Sequence, residues 1–180
     1  MREARLPRVA TIKDSRRLHG ELFQGLTPPH FPHFAGKYRG EPVPCLDIYE
    51  VKVGGDPRVG TQASRVPSEM QAFAENAHEL VKAVEAIAAS DEQNRRLRAV
   101  EIACLIFEVF LKIHPYANGN GHVARFVVWA VLGHFNYWPV RWRVDPRPDA
   151  PDYAEMIVRH RSGDREPLVR HVLACLVDAP

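Results

Sequence analysis

The residues best suited to chemistry lie together, in the string His114-Pro115-Tyr116-Ala117-Asn118-Gly119-Asn120-Gly121-His122-Val123-Ala124-Arg125, between two strongly apolar stretches. Pro115 stops the helix before it, and the glycines on either side of Asn120 let the backbone come close to a bound group. The helix that follows must offer its first N–H groups to that same space. Those donors and the helix dipole suit an anion, most naturally a phosphate. Arg125, one turn into that helix, can add a forked guanidinium donor. His114 stands at the other edge of the loop, and imidazole is the side chain most easily poised as a base near neutral pH. A glycine-rich connector with one satisfied histidine accounts for any single residue here. It does not account for His, Pro, Gly-Asn-Gly and Arg together between two buried helices.

The elements that must position this loop are mostly helical. Residues 12–25 predict a first helix, with Ile12, Leu18, Leu22 and Phe23 on one side and Gly25 past its end. A loop dense in proline and histidine follows, from Thr27 to His33. In Leu46–Val53, Tyr49, Val51 and Val53 alternate with Glu50 and Lys52, and Gly54-Gly55-Asp56-Pro57 ends the run, so a strand is expected as one arm of a hairpin. It is the chain's single convincing strand signal. Pro67 and a capping box, Ser68-Glu69-Met70-Gln71, open a helix whose Met70, Phe73, Ala77, Leu80, Val84 and Ile87 share a buried face. A second box, Ser90-Asp91-Glu92-Gln93, opens a helix running to about Ile113, apolar nearly all round in its second half and hence the central core helix. Further helices are expected at about Val123–Phe135, Asp152–His160 and Pro167–Leu176. The fold class is therefore all-α, a helical bundle with one inserted β-hairpin.

The chain has 180 residues and a mass of 20.4 kDa, which fits one domain over 1–180, with a core of about 10–177 and a basic extension at 1–10. The net charge of +2 argues against a protein whose main task is neutralising nucleic-acid phosphates. The basic opening (Arg2, Arg5, Arg8, Lys13, Arg16, Arg17) reads first as a solvated tail and helix face. Cys45, Cys104 and Cys175 are odd in number and far apart, which argues against a disulfide framework or a zinc–thiolate site. No secretory signal or membrane span is expected, since the apolar run Ile102–Ile113 is short and carries Glu108 and Lys112. The expected location is the cytoplasm, although a secretion system that reads folded proteins leaves no mark in a sequence. His30 and His33 have HxxH spacing but no helix to align the rings, and Trp129, Trp138 and Trp142 read as packing residues.

At the loop the sequence resembles the Fic (Fic/Doc) family. That family's motif, His-Pro-Phe-x-(Asp/Glu)-Gly-Asn-Gly-Arg-x-x-Arg, is matched at His114, Pro115, Gly119, Asn120, Gly121 and Arg125. Leu18-His19-Gly20-Glu21-Leu22-Phe23 and Phe34-Ala35-Gly36-Lys37-Tyr38-Arg39 look like the family's opening helix and the turn after it. Ser162-Gly163-Asp164 with Pro167-Leu168 looks like its closing segment, so the resemblance runs over about residues 10 to 177, close to a bare core of the family. It implies nucleotidyl transfer, usually of AMP from ATP to a Ser, Thr or Tyr hydroxyl of another protein. By position, His114 would be the base, Gly119, Asn120 and Gly121 would hold the phosphates, with a side-chain contact from Asn120, and Arg125 would grip their distal part. Tyr49, Val51 and Val53 would be the target-holding flap, acting by β-augmentation. Implied partners are the target protein, a separate antitoxin-like restraint, and a second copy of the chain.

Three positions depart from the motif. Tyr116 keeps an aromatic plug. Asn118 replaces the acidic residue that holds Mg²⁺, leaving a carboxamide oxygen without charge. His122 replaces the first arginine with a shorter side chain that makes no fork. Three outcomes fit: reduced AMP transfer or transfer with another divalent ion, transfer from a different phosphate-linked donor, or nucleotide binding without turnover. No restraining (Ser/Thr)-x-x-x-Glu-(Gly/Asn) string is found, the nearest being Ser162–Pro167, so either a separate partner restrains Arg125 or nothing does.

Overall fold

The computed structural model describes residues 10–53, 56–148 and 152–176, so Arg2, Arg5, Arg8 and Gly54-Gly55 lie outside the described residues. The regular elements described are α1 (Ala10–Lys13), α2 (Arg16–Phe23), α3 (Val66–Glu85), α4 (Glu92–Ile113), α5 (Asn120–His134), α6 (Tyr153–Arg161) and α7 (Glu166–Ala174), with 3₁₀ turns at Pro32–Phe34 and Ala63–Arg65. α4 is the axis. Its Ala99, Val100, Ala103, Cys104, Phe107 and Phe110 are buried on different faces, so it must be covered from several sides, and α3, α5, α6 and α7 all pack on it. α5 is as apolar, with Val123, Val127, Val128, Val131 and Leu132 fully buried. Each such side chain contributes about 1.5–3 kcal/mol relative to leaving it in water. The loop from His114 to Gly119 is thus strung between the two most deeply buried helices.

Helix boundaries moved where local chemistry outweighed pattern. The first helix breaks into α1 and α2 around Ser15, whose hydroxyl meets that of Tyr116 at 2.8 Å, far along the chain. α3 starts at Val66 out of the 3₁₀ turn, and the Ser68 hydroxyl donates to Arg65 O rather than capping. α5 starts at Asn120, three residues earlier than the apolar run indicates, because Gly119 in the left-handed region (φ 77°) forms its N-cap.

The expected β-hairpin is not seen. Among the described residues there is no strand: 44–48 turn, and 49–53 run outside any helix or ladder. A strand needs a second strand, and the sequence offered one signal only. The segment is held instead by side chains. Arg39 Nη1 donates to Tyr49 O at 2.9 Å, and Glu50 Oε1 accepts the Ala63 N–H at 2.9 Å. Tyr49 and Val53 stay partly exposed.

The end of α4 is the most heavily braced point in the fold. Helix C-termini leave carbonyls without intrahelical partners. Here Gly60 N–H donates to Lys112 O (2.9 Å), and Thr61 N–H to Ile113 O (3.1 Å). Arg39, completely buried, donates from Nε to His114 O (2.9 Å), from Nη2 to Thr61 O (2.8 Å) and Ile113 O (3.3 Å), and from its backbone to Pro115 O (2.8 Å). A buried cation tolerates this setting because carbonyls surround it and the Glu50 carboxylate lies 3.7 Å from Nη1. Replacing Arg39 by Met should therefore lower unfolding free energy by about 3 kcal/mol or more, with Lys recovering little because it lacks the fork. Thermal and urea unfolding measure this, and a loss under about 1 kcal/mol would show the carbonyl cap to be dispensable.

Candidate active site

His114 follows α4 directly, in the left-handed region (φ 55°, ψ 59°), a conformation that costs a non-glycine residue about 1–2 kcal/mol. Its N–H still closes the helix on Phe110 O at 3.0 Å. Its Nδ1 lies 3.1 Å from Leu111 O. A carbonyl only accepts, so Nδ1 carries the proton and Nε2 keeps its lone pair. Burial holds the imidazole below its ordinary pKa, with the Arg39 and Arg161 charges acting the same way and the Leu111 bond opposing. The ring is thus neutral and able to accept a proton at pH 7.

The loop that follows is clipped from within. Asn120 is buried; its Oδ1 accepts the Tyr116 N–H (2.9 Å) and its Nδ2 donates to Tyr116 O (2.8 Å). The side chain expected to touch a phosphate is therefore engaged in shaping the turn. Gly119 is required twice over, by its φ of 77° and because a Cβ would lie 2.4 Å from the Phe23 ring. His19 on α2, whose role the sequence did not disclose, braces the loop from outside. Its Nδ1 accepts the Gly36 N–H at 2.9 Å, so its Nε2 carries the proton and donates to Asn118 O at 3.1 Å. Its ring stacks on Tyr116 with centroids 3.8 Å apart.

The start of α5 has free donors. His122 and Val123 N–H groups return to Gly119 O, whereas no acceptor for the Asn120 or Gly121 N–H is found among the described residues. Arg125 is buried and fixed by Nε donating to Val144 O at 2.6 Å; a Cβ at Gly121 would lie 3.1 Å from its Nη1, so the fork folds back over the first turn of α5. Trp142, itself buried, donates to Arg125 O, and Trp129 donates to Trp142 O. These tryptophans support the arginine. His122 faces Asp145, Nε2 to Oδ1 3.3 Å, and meets Phe23 edge-on. Asn118 Oδ1 accepts the Gly119 N–H at 2.8 Å. As a set of ligands for Mg²⁺ this loop is poor: one uncharged oxygen, already hydrogen-bonded, and no group of three or more Asp, Glu, His or Cys able to hold a metal among the described residues. His33 Nε2 lies 3.1 Å from Pro44 O, and His30 and His33 belong to no such group.

Tyr49, Val51 and Val53 are joined to the same corner through Arg39, which bonds both Tyr49 O and His114 O. Arg39 stood in the turn after the opening helix, but nothing in the sequence showed that it would be buried against carbonyls. Also unseen was a buried ionic group, Asp56, Glu108 and Arg161, on three separate parts of the chain. No described helix is long and apolar enough to cross a membrane.

Burial pushes His19 down to about 4 from an ordinary 6.5. In the unfolded chain it takes up its proton as pH falls through the ordinary value; in the folded chain it does so only near the lowered one. Its contribution is therefore complete at neutral pH and is lost as pH falls between those two values, a loss of about 3 kcal/mol when complete. His114, His160 and His171 are lowered too and act in the same direction. Unfolding free energy should thus drop steeply between pH 6.5 and 4, and His19→Gln should flatten part of that slope; an unchanged slope would contradict the neutral, buried assignment.

The chain is similar to known proteins. The family model described as Fic/DOC family matches residues 10–132, from α1 to near the end of α5. Among curated proteins, the chain is similar to one named "Protein adenylyltransferase Fic" from Nematostella vectensis, 34% identical over 79 residues, which is 44% of this chain and 18% of that protein. Proteins of the same name from Drosophila mojavensis and Drosophila grimshawi are each 29% identical over 86 residues, 48% of this chain and 16% and 17% of theirs. The matched segment thus spans less than a fifth of the length of these relatives.

Proposed function

The chain belongs to the Fic/DOC family, and from that premise we propose that it is a nucleotidyltransferase that moves AMP, or another phosphate-linked group, from a nucleotide to a hydroxyl of a target protein. The observation that carries this reading is the pairing of one free imidazole nitrogen with one anion site. His114 Nε2 is left with its lone pair by the Nδ1 bond to Leu111, and the open N–H groups of α5 with the Arg125 fork lie at the other end of the loop. The target hydroxyl gives its proton to His114 Nε2 as its oxygen attacks the α-phosphorus. The bond from that phosphorus to the pyrophosphate oxygen breaks, and with ATP as donor pyrophosphate leaves. The α5 N–H groups and Arg125 face charge that grows on the phosphates, a fixed set of dipoles that need not reorganise. Residues 49–53 are the natural resting place for an extended target segment, since the backbone N–H and C=O groups of Glu50, Val51 and Lys52 have no hydrogen-bond partner among the described residues.

The departures at Asn118 and His122 bear on rate and donor. The ligand set is too poor to hold Mg²⁺ tightly, so a divalent ion that takes part depends on the donor's own phosphates for its ligands. His122 is engaged with Asp145 where the family motif has an arginine, an observation that favours a second reading, nucleotide binding with little turnover. The test is incubation of wild type and His114→Ala with lysate and label-carrying ATP, GTP, CTP and UTP, each with Mg²⁺ or Mn²⁺. The transferase reading expects label on protein that falls at least about a hundredfold without His114, the usual worth of a general base. Absence of His114-dependent label with every donor contradicts it. A binding module would instead show nucleotide-induced thermal stabilisation that His114→Ala leaves intact.

A further inference from the structure

A buried ionic cluster stands behind the site. Arg161, at the last turn of α6, sends Nε to Glu108 Oε1 on α4 (2.5 Å) and Nη1 to Asp56 Oδ2 (2.6 Å); all three side chains are at least nine-tenths buried. Asp56 also binds the Arg58 backbone and guanidinium at 2.9–3.0 Å, which fixes its carboxylate from the other side. Burying charges in this way is weak evidence for stability, because apolar residues of similar volume often do as well. What such a cluster does set is where its members stand.

Those members bracket the extended segment. Arg39 fixes its beginning, through Tyr49 O and an ion pair to Glu50 at 3.7 Å. Asp56 closes its far end, its N–H reaching Val53 O at 3.4 Å. Arg39 is bonded to the last carbonyls of α4, and Arg161 to Glu108, nearly two turns before His114 on that same helix. Both ends of residues 49–53 are thereby referred to the helix that carries the base.

We infer that Arg161 is a positioning residue: by joining Asp56 to Glu108 it holds residues 49–53 at a fixed offset from His114, so that a target hydroxyl laid along that segment meets Nε2 in line with the donor phosphorus. This rests on the transferase reading for its consequence in catalysis, but not for the anchoring itself. A misplacement of about 1 Å costs roughly a hundredfold in rate, so the anchor matters although it touches neither substrate.

The test uses the full chain in two variants. Arg161→Lys keeps the charge but cannot bridge two carboxylates in the same way. The triple variant Arg161→Met, Glu108→Gln, Asp56→Asn removes the cluster without stranding a buried charge. Backbone order at residues 50–53 by ¹⁵N relaxation, the ATP concentration giving half-maximal thermal stabilisation, and His114-dependent label transfer are measured together. The anchoring role predicts order parameters at 50–53 that fall from about 0.85, the range of ordered backbone, to below about 0.6 in the triple variant, and to an intermediate value in Arg161→Lys. It predicts transfer at least about tenfold lower and an ATP midpoint within about twofold of wild type. Wild-type order parameters at 50–53 in a folded variant overturn the inference. So does an ATP midpoint that weakens in step with everything else, the mark of a general structural role. If the triple variant fails to fold, Arg161→Lys decides by the same order-parameter and ATP readings. If wild type labels nothing, the transferase reading fails, yet backbone order and ATP affinity still decide the anchoring.

Discussion

The geometry of the candidate site hangs on how one helix ends. α4 stops at His114 with its last carbonyls inside the protein, where an unmatched acceptor costs about 1–3 kcal/mol. They are satisfied from another part of the chain: Gly60 and Thr61 supply N–H groups, and Arg39 supplies a whole guanidinium. That cation has no bulk water to fall back on, so it in turn dictates where Tyr49, Thr61 and His114 must lie. The left-handed turn at His114, the course of residues 49–53 and the entry to the glycine loop are three consequences of this mutual satisfaction.

The site's electrostatics follow from burial rather than from charge. Two histidines flank the loop, both kept neutral by desolvation, with opposite tautomers set by opposite partners. His19 meets an N–H donor at Nδ1 and so presents a proton from Nε2; His114 meets a carbonyl at Nδ1 and so presents a lone pair from Nε2. One braces, the other can accept a proton. On the proposed reading, anion affinity comes from the start of α5 and one folded-back arginine. A net charge of +2 is therefore no obstacle to a phosphate site, since helix dipoles need no basic surface.

The helices were legible in the sequence because burial imposes periodicity, and the loop was legible because Pro, Gly and Asn mark turns by mechanism. What escaped was set by contacts distant in sequence. Tyr49–Val53 alternates like a strand, yet no second strand is found among the described residues to pair with it, and Arg39 and Glu50 hold it by side chains instead. Asn120 looked like a phosphate ligand from its position, whereas its amide matches the Tyr116 peptide on both sides. With no restraining string found, either a separate partner or nothing was expected to hold Arg125; the chain's own Val144 carbonyl takes its Nε. Asp56, Glu108 and Arg161 are spread over more than a hundred residues, and no spacing rule joins them.

On the proposed reading, a donor's phosphates lie on the first turn of α5 with the reacting phosphorus turned toward a neutral His114. A crystal structure with a non-hydrolysable ATP analogue tests it most directly. The expected result has phosphate oxygens on the Asn120 and Gly121 N–H groups and on Arg125, with the α-phosphorus on the side of His114 Nε2 and Nδ1 still bonded to Leu111 O. An analogue bound away from this turn, or a His114 ring flipped so that Nε2 faces the protein, would contradict it.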